Sequence, residues 1–442
     1  MGWYDYIYGT PYCLPRVWFH HMADYYRFGH THGVRAHYAE AYPNWGEGPK
    51  LYVSLKLQWD PSRDVDELLN DWYVRCVGKE AAPYLAEYYA YWEDFWTRRV
   101  LDSSWFTEGG QYLNFYNPAY LNDIELDEIR QSRSLLDTVV AKIVTDKQKA
   151  RAALLLRAFE YYESTAYAYK LANPTNKAIE TTEQALAMLD SAAECAVHIE
   201  KRQRLALEEF PEDPVLCHPL PMTNSAALQS DTWTGGGLWQ VYDVAASGDP
   251  SIRGRLEQIA DGDEPVLLAA QARLMLTLLD GNQEPINTNS SFEAGEGNAA
   301  EDWSLWVKWE TGSLQRTDEA AHTGAHSVLS DGMQRGGPNM TMPATPGTYG
   351  LVCFVYVPEG QSSKGTAELS LTLRDAAGNN LPSQSTQIVP VPGKWTALGV
   401  AATVPEAIGD TPVTTLMPIL IVNGFEPGEK CHIDDLALYR LE

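Results

Sequence analysis

Basic residues are scarce: 33 Lys and Arg stand against 59 Asp and Glu, a formal charge of −26. A chain this acidic is repelled by nucleic acid and by anionic membranes, so a polyphosphate-backbone ligand is a poor match, and neutral or cationic substrates remain open. Cysteine is also sparse. The six residues Cys13, Cys76, Cys195, Cys217, Cys353 and Cys431 include no Cys-x-x-Cys pair, which removes the spacing of a zinc site or a disulfide framework. No apolar run approaches the ~20 residues of a membrane span. The opening residues Met1 to Asp5 carry neither a basic segment nor an apolar one, so no secretory leader is read there. Hydrophobic residues at 45% exclude a disordered chain, and 442 residues suggest about three domains.

Aromatic residues mark the first boundary. Thirty of the 49 Phe, Trp and Tyr fall within the first 120 positions. From about Leu121 to Asp280 the chain turns to Ala, Leu, Glu, Arg and Lys, all strong helix formers. Beyond Gly281-Asn282-Gln283-Glu284-Pro285 it becomes rich in Thr, Val, Ser and Gly with alternating runs. The expected fold class is therefore multidomain: α/β, then all-α, then all-β. The expected boundaries are 1–62, 63–284 and 285–442.

In the first zone, Trp3 to Tyr8 and Val34 to Glu40 read as strands, and Pro15 to Phe28 and Leu51 to Leu57 as helices. Strand, helix, strand, helix is the parallel βαβ order, and two strands make no stable sheet alone. The run Asp64-Val65-Asp66-Glu67 resembles a capping box opening a helix over Val65 to Cys76. Longer helices are expected over Ala81–Leu101, Thr145–Ala172, Ala178–Phe210 and Ser251–Leu279, the last broken near Asp261–Pro265. Alternation over Leu351–Val357, Ala367–Leu373 and Leu416–Val422 predicts strands of a sandwich.

Two resemblances follow. The segments Tyr38-Ala39-Glu40-Ala41-Tyr42-Pro43-Asn44-Trp45-Gly46, Leu51 to Pro61 and Asp64 to Tyr73 resemble domain-of-unknown-function family 4838, a glycoside-hydrolase-like group. They are also similar to the barrel end of alpha-glucuronidases. That likeness implies the seventh and eighth strands of a (β/α)8 barrel, with the earlier strands upstream of Met1. The second likeness rests on Asn289 to Gly295, Trp303 with Trp306, Ala321 to Ser327 and Ile433 to Tyr439. This set resembles the family 4/9 carbohydrate-binding modules, which are jelly-roll sandwiches.

The resemblances imply the C-terminal portion of a bacterial glycoside hydrolase acting on a polysaccharide, extracellular or periplasmic, whose signal peptide lies upstream. The alternative is a non-catalytic carbohydrate-binding or cell-surface scaffold protein. Hydrolysis needs two carboxyl groups across the bond, and Asp5 and Glu40 sit near the ends of the two strands, positioned to approach one pocket. Each has a plainer reading, as a structural acceptor or as a ligand of sugar hydroxyls. Tyr6, Tyr38, Tyr42 and Trp45 are candidates for stacking on sugar faces or for core packing. His20, His21, His30, His32 and His37 suggest a metal, but they lack a carboxylate triad of recognisable spacing, and a helix surface and a turn are the better explanation. The second resemblance implies that Glu293 and Asp435 hold a structural calcium ion, consistent with its hard oxygen ligands. Trp303, Trp306 and Trp309 are either a binding platform or core. Expected partners are a poly- or oligosaccharide and either a second copy or an upstream barrel segment along the exposed strand edges. No organic cofactor is expected.

Overall fold

The computed structural model describes the chain except residues 8, 10–11, 42–43, 108–116, 173–178, 218–232, 234–236, 263–264, 310, 362–363 and 442. It divides into two compact units, residues 1–170 with 198–230, and residues 171–197 with 231–442. The helical zone expected over 63–284 is shared between them.

Unit 1 opens with β1 (Gly2–Tyr6), α1 (Phe19–Thr31), β2 (Ala36–Glu40) and α2 (Lys50–Trp59). The strands pair in parallel, with Tyr4 opposite Tyr38 and Tyr6 opposite Glu40. Among the described residues this sheet has two strands only, which does not by itself show the barrel end that the first resemblance implies. Next come α3 (Val65–Val77), α4 (Ala82–Thr97), α5 (Leu126–Ala141) and α6 (Asp146–Ala172). The Asp64 side chain accepts from the Asp66 and Glu67 N–H groups and starts α3. The reciprocal box is closed instead at α5, between Glu125 and Glu128. The aromatic residues of α4 are core: Tyr88, Tyr89, Trp92 and Phe95 are all buried.

The next long helix, α7 (Thr182–Arg204), relaxes into a π turn over Leu205–Glu209 before a final turn at Phe210–Glu212. Pro211 thus sits inside the first turn of a new segment, where its missing N–H costs nothing. Residues 182–197 of α7 belong to unit 2, with α8 (Pro250–Asp261) and α9 (Val266–Asp280). The expected break between the last two falls at Pro265, the N-cap of α9, and Gly281 ends α9 in the left-handed conformation.

Two antiparallel sheets follow. The front sheet runs β10 (Asn380–Ile388), β9 (Thr366–Arg374), β14 (Thr415–Asn423), β6 (Arg335–Asn339), β3 (Ser304–Val307), with β7 (Met342–Pro343) against β14. The back sheet runs β11 (Trp395–Val404), β8 (Gly347–Tyr356), β15 (Lys430–Arg440), β5 (Ser327–Asp331), β4 (Ser313–Thr317), and the short β12 (Ala407–Ile408) and β13 (Thr411–Pro412) pair with each other. Strand side chains alternate between faces, and here the alternation fills the space between the sheets. Leu369, Leu371 and Leu373 of β9 meet Leu351, Cys353 and Val355 of β8 and Leu398 and Val400 of β11 in one core. The all-β C-terminal region is therefore a sandwich, as its alternation predicts.

The opposite register of the back sheet is also apolar. Val352, Phe354, Ala397, Ala437 and Tyr439 face outward and are buried under Leu189, Ala192, Leu256, Leu268, Leu274 and Met275 of the helices. Each large side chain covered in this way contributes roughly 1.5–3 kcal/mol relative to exposure. Trp239 seats its indole against Gly399 and donates Nε1–H to Gln271 Oε1 at 3.1 Å. A Cβ on Gly399 would lie 1.8 Å from the Trp239 ring. Gly399→Ala is therefore expected to lower stability by about 1–3 kcal/mol, the cost of overpacking a filled core. Urea unfolding followed by Trp fluorescence checks this; an unchanged midpoint would contradict the close seat.

Candidate functional site

Parallel pairing sets the faces of the small sheet in unit 1. Partners share a face, so Tyr4, Tyr6, Tyr38 and Glu40 lie on one side and Trp3, Asp5 and His37 on the other. On the first side the Tyr4 ring lies 4.9 Å from Tyr38 in a tilted contact and 5.2 Å from Tyr6 edge-on, and its hydroxyl donates to Glu40. Tyr4 and Tyr38 are more than half exposed. On the second side Asp5 accepts from the Tyr25 hydroxyl at 2.8 Å and lies 3.6 Å from His37 Nε2. Asp5 and Glu40 therefore do not converge on one pocket. The expectation that they would do so overlooked the one-residue offset that the register imposes.

Tyr42 lies outside the described residues. Trp45 is buried; its Nε1 donates to the Leu216 carbonyl at 2.7 Å, and its ring packs edge-on to Phe210 and Tyr161. It anchors the loop after β2 to the helices of its own unit. Two residues on, Glu47 forms a buried ion pair with Lys50 and accepts from Arg16 N–H at 3.2 Å. Burial pushes Glu47 up and pulls Lys50 down to about 8, against the attraction between them. This buried cluster was not singled out in the sequence, where Glu47 reads as a loop acid.

The histidines separate. His32 stacks on Phe28, and His37 meets Tyr26 edge-on. His20 is bridged by carboxylates, with Nδ1 2.8 Å from Glu93 and Nε2 3.2 Å from Asp66. Among the described residues no group of three or more His, Cys, Asp or Glu is placed to hold a metal ion.

In the sandwich, Glu293 accepts from the N–H groups of Ala325 and His326 at 2.8 and 2.9 Å. Asp435, at φ 47 in a bulge of β15, accepts from Thr323 Oγ1 and lies 2.6 Å from His322 Nδ1. Neighbouring Asp434 is buried and takes the His322 and Thr323 N–H groups; burial raises its pKa to about 7. Glu293 and Asp435 thus grip the loop over 322–326 from its two ends, and their oxygens are engaged by that loop's donors. As placed, they form a hydrogen-bonded clasp.

The three tryptophans take three different environments. Trp303 is core and donates to the Asn289 carbonyl at 2.8 Å. Trp309 is 65% exposed beneath the Lys308 ammonium. Trp306 lies on the outer face of the front sheet, packed against Met417, Ile419 and Ile421. Around that apolar strip the register places a polar field. Ser370 pairs with Ile419 and Ser385, Glu368 with Ile421 and Gln387, Thr372 with Met417, and Arg335 with Asn423. Arg335 donates to Asn423 Oδ1 at 2.5 Å and lies 3.9 Å from Glu368. Ser370 and Thr372 share a 3.1 Å hydrogen bond. Because helices cover the outer face of the back sheet, this is the sandwich face that combines an aromatic edge, apolar strip and hydrogen-bonding side chains. The sequence carries its signal in the polar alternates Glu368, Ser370 and Thr372 between the leucines of β9.

Residues 1–90 match the family described as Domain of unknown function (DUF4838). No curated protein matches the chain in sequence. Among solved structures, the CBM22-1 xylan-binding domain of Paenibacillus barcinonensis Xyn10C is 17% identical, over 34% of this chain and 92% of that one, TM-score 0.26. TmCBM61, solved in complex with β-1,4-galactotriose, is 16% identical over 36% and 99%, TM-score 0.26. The α-L-arabinofuranosidase MgGH51, solved with arabinose bound, is 18% identical over 35% and 26%, TM-score 0.27.

The His20 bridge has a pH consequence. Burial opposes its charge, but Glu93 and Asp66 outweigh that and raise its pKa above the ordinary 6.5. A raised folded-state value stabilises the protein below the unfolded pKa, and the gain is lost as pH rises through the folded value. His20→Gln should therefore lower stability at pH 5.5 more than at pH 8.5, measured by thermal melting. Equal losses at both values would contradict the charged bridge.

Proposed function

We propose that this chain is the glycan-binding, C-terminal portion of a bacterial glycoside hydrolase acting on a polysaccharide. Its sandwich takes an oligo- or polysaccharide on the outer face of the front sheet. The observation that carries this reading is the juxtaposition of Trp306 with the strip Met417, Ile419, Ile421 and the flanking Arg335, Glu368, Ser370 and Thr372. A pyranose offers an apolar C–H face and an equatorial rim of hydroxyls. An indole beside a row of hydroxyl, amide and charged groups matches both, since Trp joins apolar area to defined geometry. Charged partners strengthen hydroxyl hydrogen bonds.

In unit 1 the proposal gives the exposed face of β1 and β2 to the interior of a (β/α)8 barrel completed by upstream strands. Support comes from the parallel βαβ order and from the open aromatic face with Tyr4, Tyr6, Tyr38 and Glu40 on it. Glu40 then serves as a ligand of sugar hydroxyls. Secretion to the cell exterior or periplasm belongs to the same proposal; among the described residues no helix is long and apolar enough to cross a membrane. Calcium at Glu293 and Asp435 is a further proposal, resting on two carboxylates that hold one loop; binding requires the loop donors to yield.

Three outcomes are expected. A glycan array with the 442-residue chain selects at least one polysaccharide, and Trp306→Ala weakens its binding about tenfold or more in calorimetry, the scale of an aromatic anchor. Full affinity in Trp306→Ala would remove this face from the account. The chain alone turns over no aryl glycoside, because two strands do not build a barrel site; steady turnover would overturn the barrel assignment. Calcium in hundredfold excess over Kd adds about 2.7 kcal/mol to unit 2, read as a higher melting temperature than in chelator. Coincident curves would leave the hydrogen-bonded clasp as the whole role of Glu293 and Asp435.

A further inference from the structure

A cavity of about 570 Å³ lies within unit 1, beside the loop that follows β2. That volume is in the range of small-molecule sites. Its walls include Trp45, Trp72, Leu154 and Leu155, and the backbone of Gly46 and Gly48 completes one side. The walls are built firmly. The Trp45 indole is tied to the Leu216 carbonyl, and the Tyr89 hydroxyl donates to the Gly46 carbonyl at 2.7 Å. A Cβ on Gly48 would meet the Tyr89 ring at 2.4 Å.

The charge of this cavity runs against that of the chain. Its described lining residues include Arg75 and Arg151 and no Asp or Glu, whereas the chain as a whole carries −26. Arg75 Nε donates to Asp71 at 2.7 Å, which offsets one of the two charges. Arg151 is exposed and donates Nη1–H to the Arg75 carbonyl at 2.9 Å, with no ion pair to a described carboxylate. An apolar, indole-walled cavity with a guanidinium at its rim is complementary to a flat apolar body bearing an anionic group.

We propose that this cavity binds an amphipathic aromatic carboxylate. Its ring lies among Trp72, Leu154 and Leu155, and its carboxylate is held by Arg151 with Arg75 beside it. Selection for the anion is electrostatic. A guanidinium–carboxylate contact is roughly twice as strong as a neutral hydrogen bond, and the protein's overall negative charge would otherwise repel such a molecule. The proposal is independent of the carbohydrate reading, since it uses no residue of the sandwich.

Cys217 supplies the reporter. It lines the same cavity and is the exposed cysteine of the six; the other five are buried. Iodoacetamide alkylation of Cys217, followed by mass spectrometry on the full chain, is measured against increasing trans-cinnamate and its neutral analogue cinnamamide. Cinnamate is expected to slow alkylation, with half-protection at a concentration at least about tenfold below that of cinnamamide. Arg151→Gln should erase that difference. Leu155→Trp, which fills the cavity, should abolish protection by both compounds while circular dichroism stays that of the parent. No protection, equal protection by the two compounds, or cinnamate selectivity that survives Arg151→Gln would each overturn the proposal.

Discussion

The outer side of the back sheet sets the organisation of unit 2. A ten-residue strand such as β8 alternates its side chains, and in most half-exposed sheets one set is polar. Here both sets are apolar, with Leu351, Cys353 and Val355 inward and Val352 and Phe354 outward. Left to water, the outward set would be a sticky patch. The helices of residues 182–197, α8 and α9 cover it, and Trp239 fits against Gly399 because that position has no side chain. The sandwich and its helices are thus one cooperative body, and the division at Pro285 expected from composition separates elements that share a core.

The outer face of the front sheet has a different make-up. On the front sheet the outward register carries Glu368, Ser370, Thr372 and Arg374, broken only by the β14 strip on which Trp306 rests. Burial of Ser370 and Thr372 in this field is tolerated because their hydroxyls hydrogen-bond each other. In unit 1 the opposite economy holds. Its two strands are stabilised on one side by α1, through Tyr25 on Asp5 and Tyr26 on His37, and present rings on the other.

Periodicity made much of this fold legible. The run over Ala367–Leu373 alternates strictly and became β9, and the apolar run Leu416–Val422 became β14; Asp64 and Pro265 marked helix starts by local chemistry that acts within a few residues. What depended on distant partners was not legible. Trp45 read as a candidate for either sugar stacking or core packing, and the partner that decides for the core, Leu216, is 171 positions away. Asp5 and Glu40 looked convergent because strand ends were compared without the register that places them on opposite faces. Glu293 and Asp435 share a loop, as the resemblance implied, but they do so through hydrogen bonds to backbone N–H groups and to Thr323, which no spacing reveals.

The account turns on one assignment, that sugar is held across the outer face of the front sheet. Hydrogen–deuterium exchange of the full chain, with and without the oligosaccharide that binds best, reads this directly. Protection should concentrate in β14, β9 and the Trp306 strand β3, while β8 and β11, already sealed beneath helices, exchange at unchanged rates. Protection confined to the Trp309 loop, to unit 1 or to the back sheet would contradict the assignment.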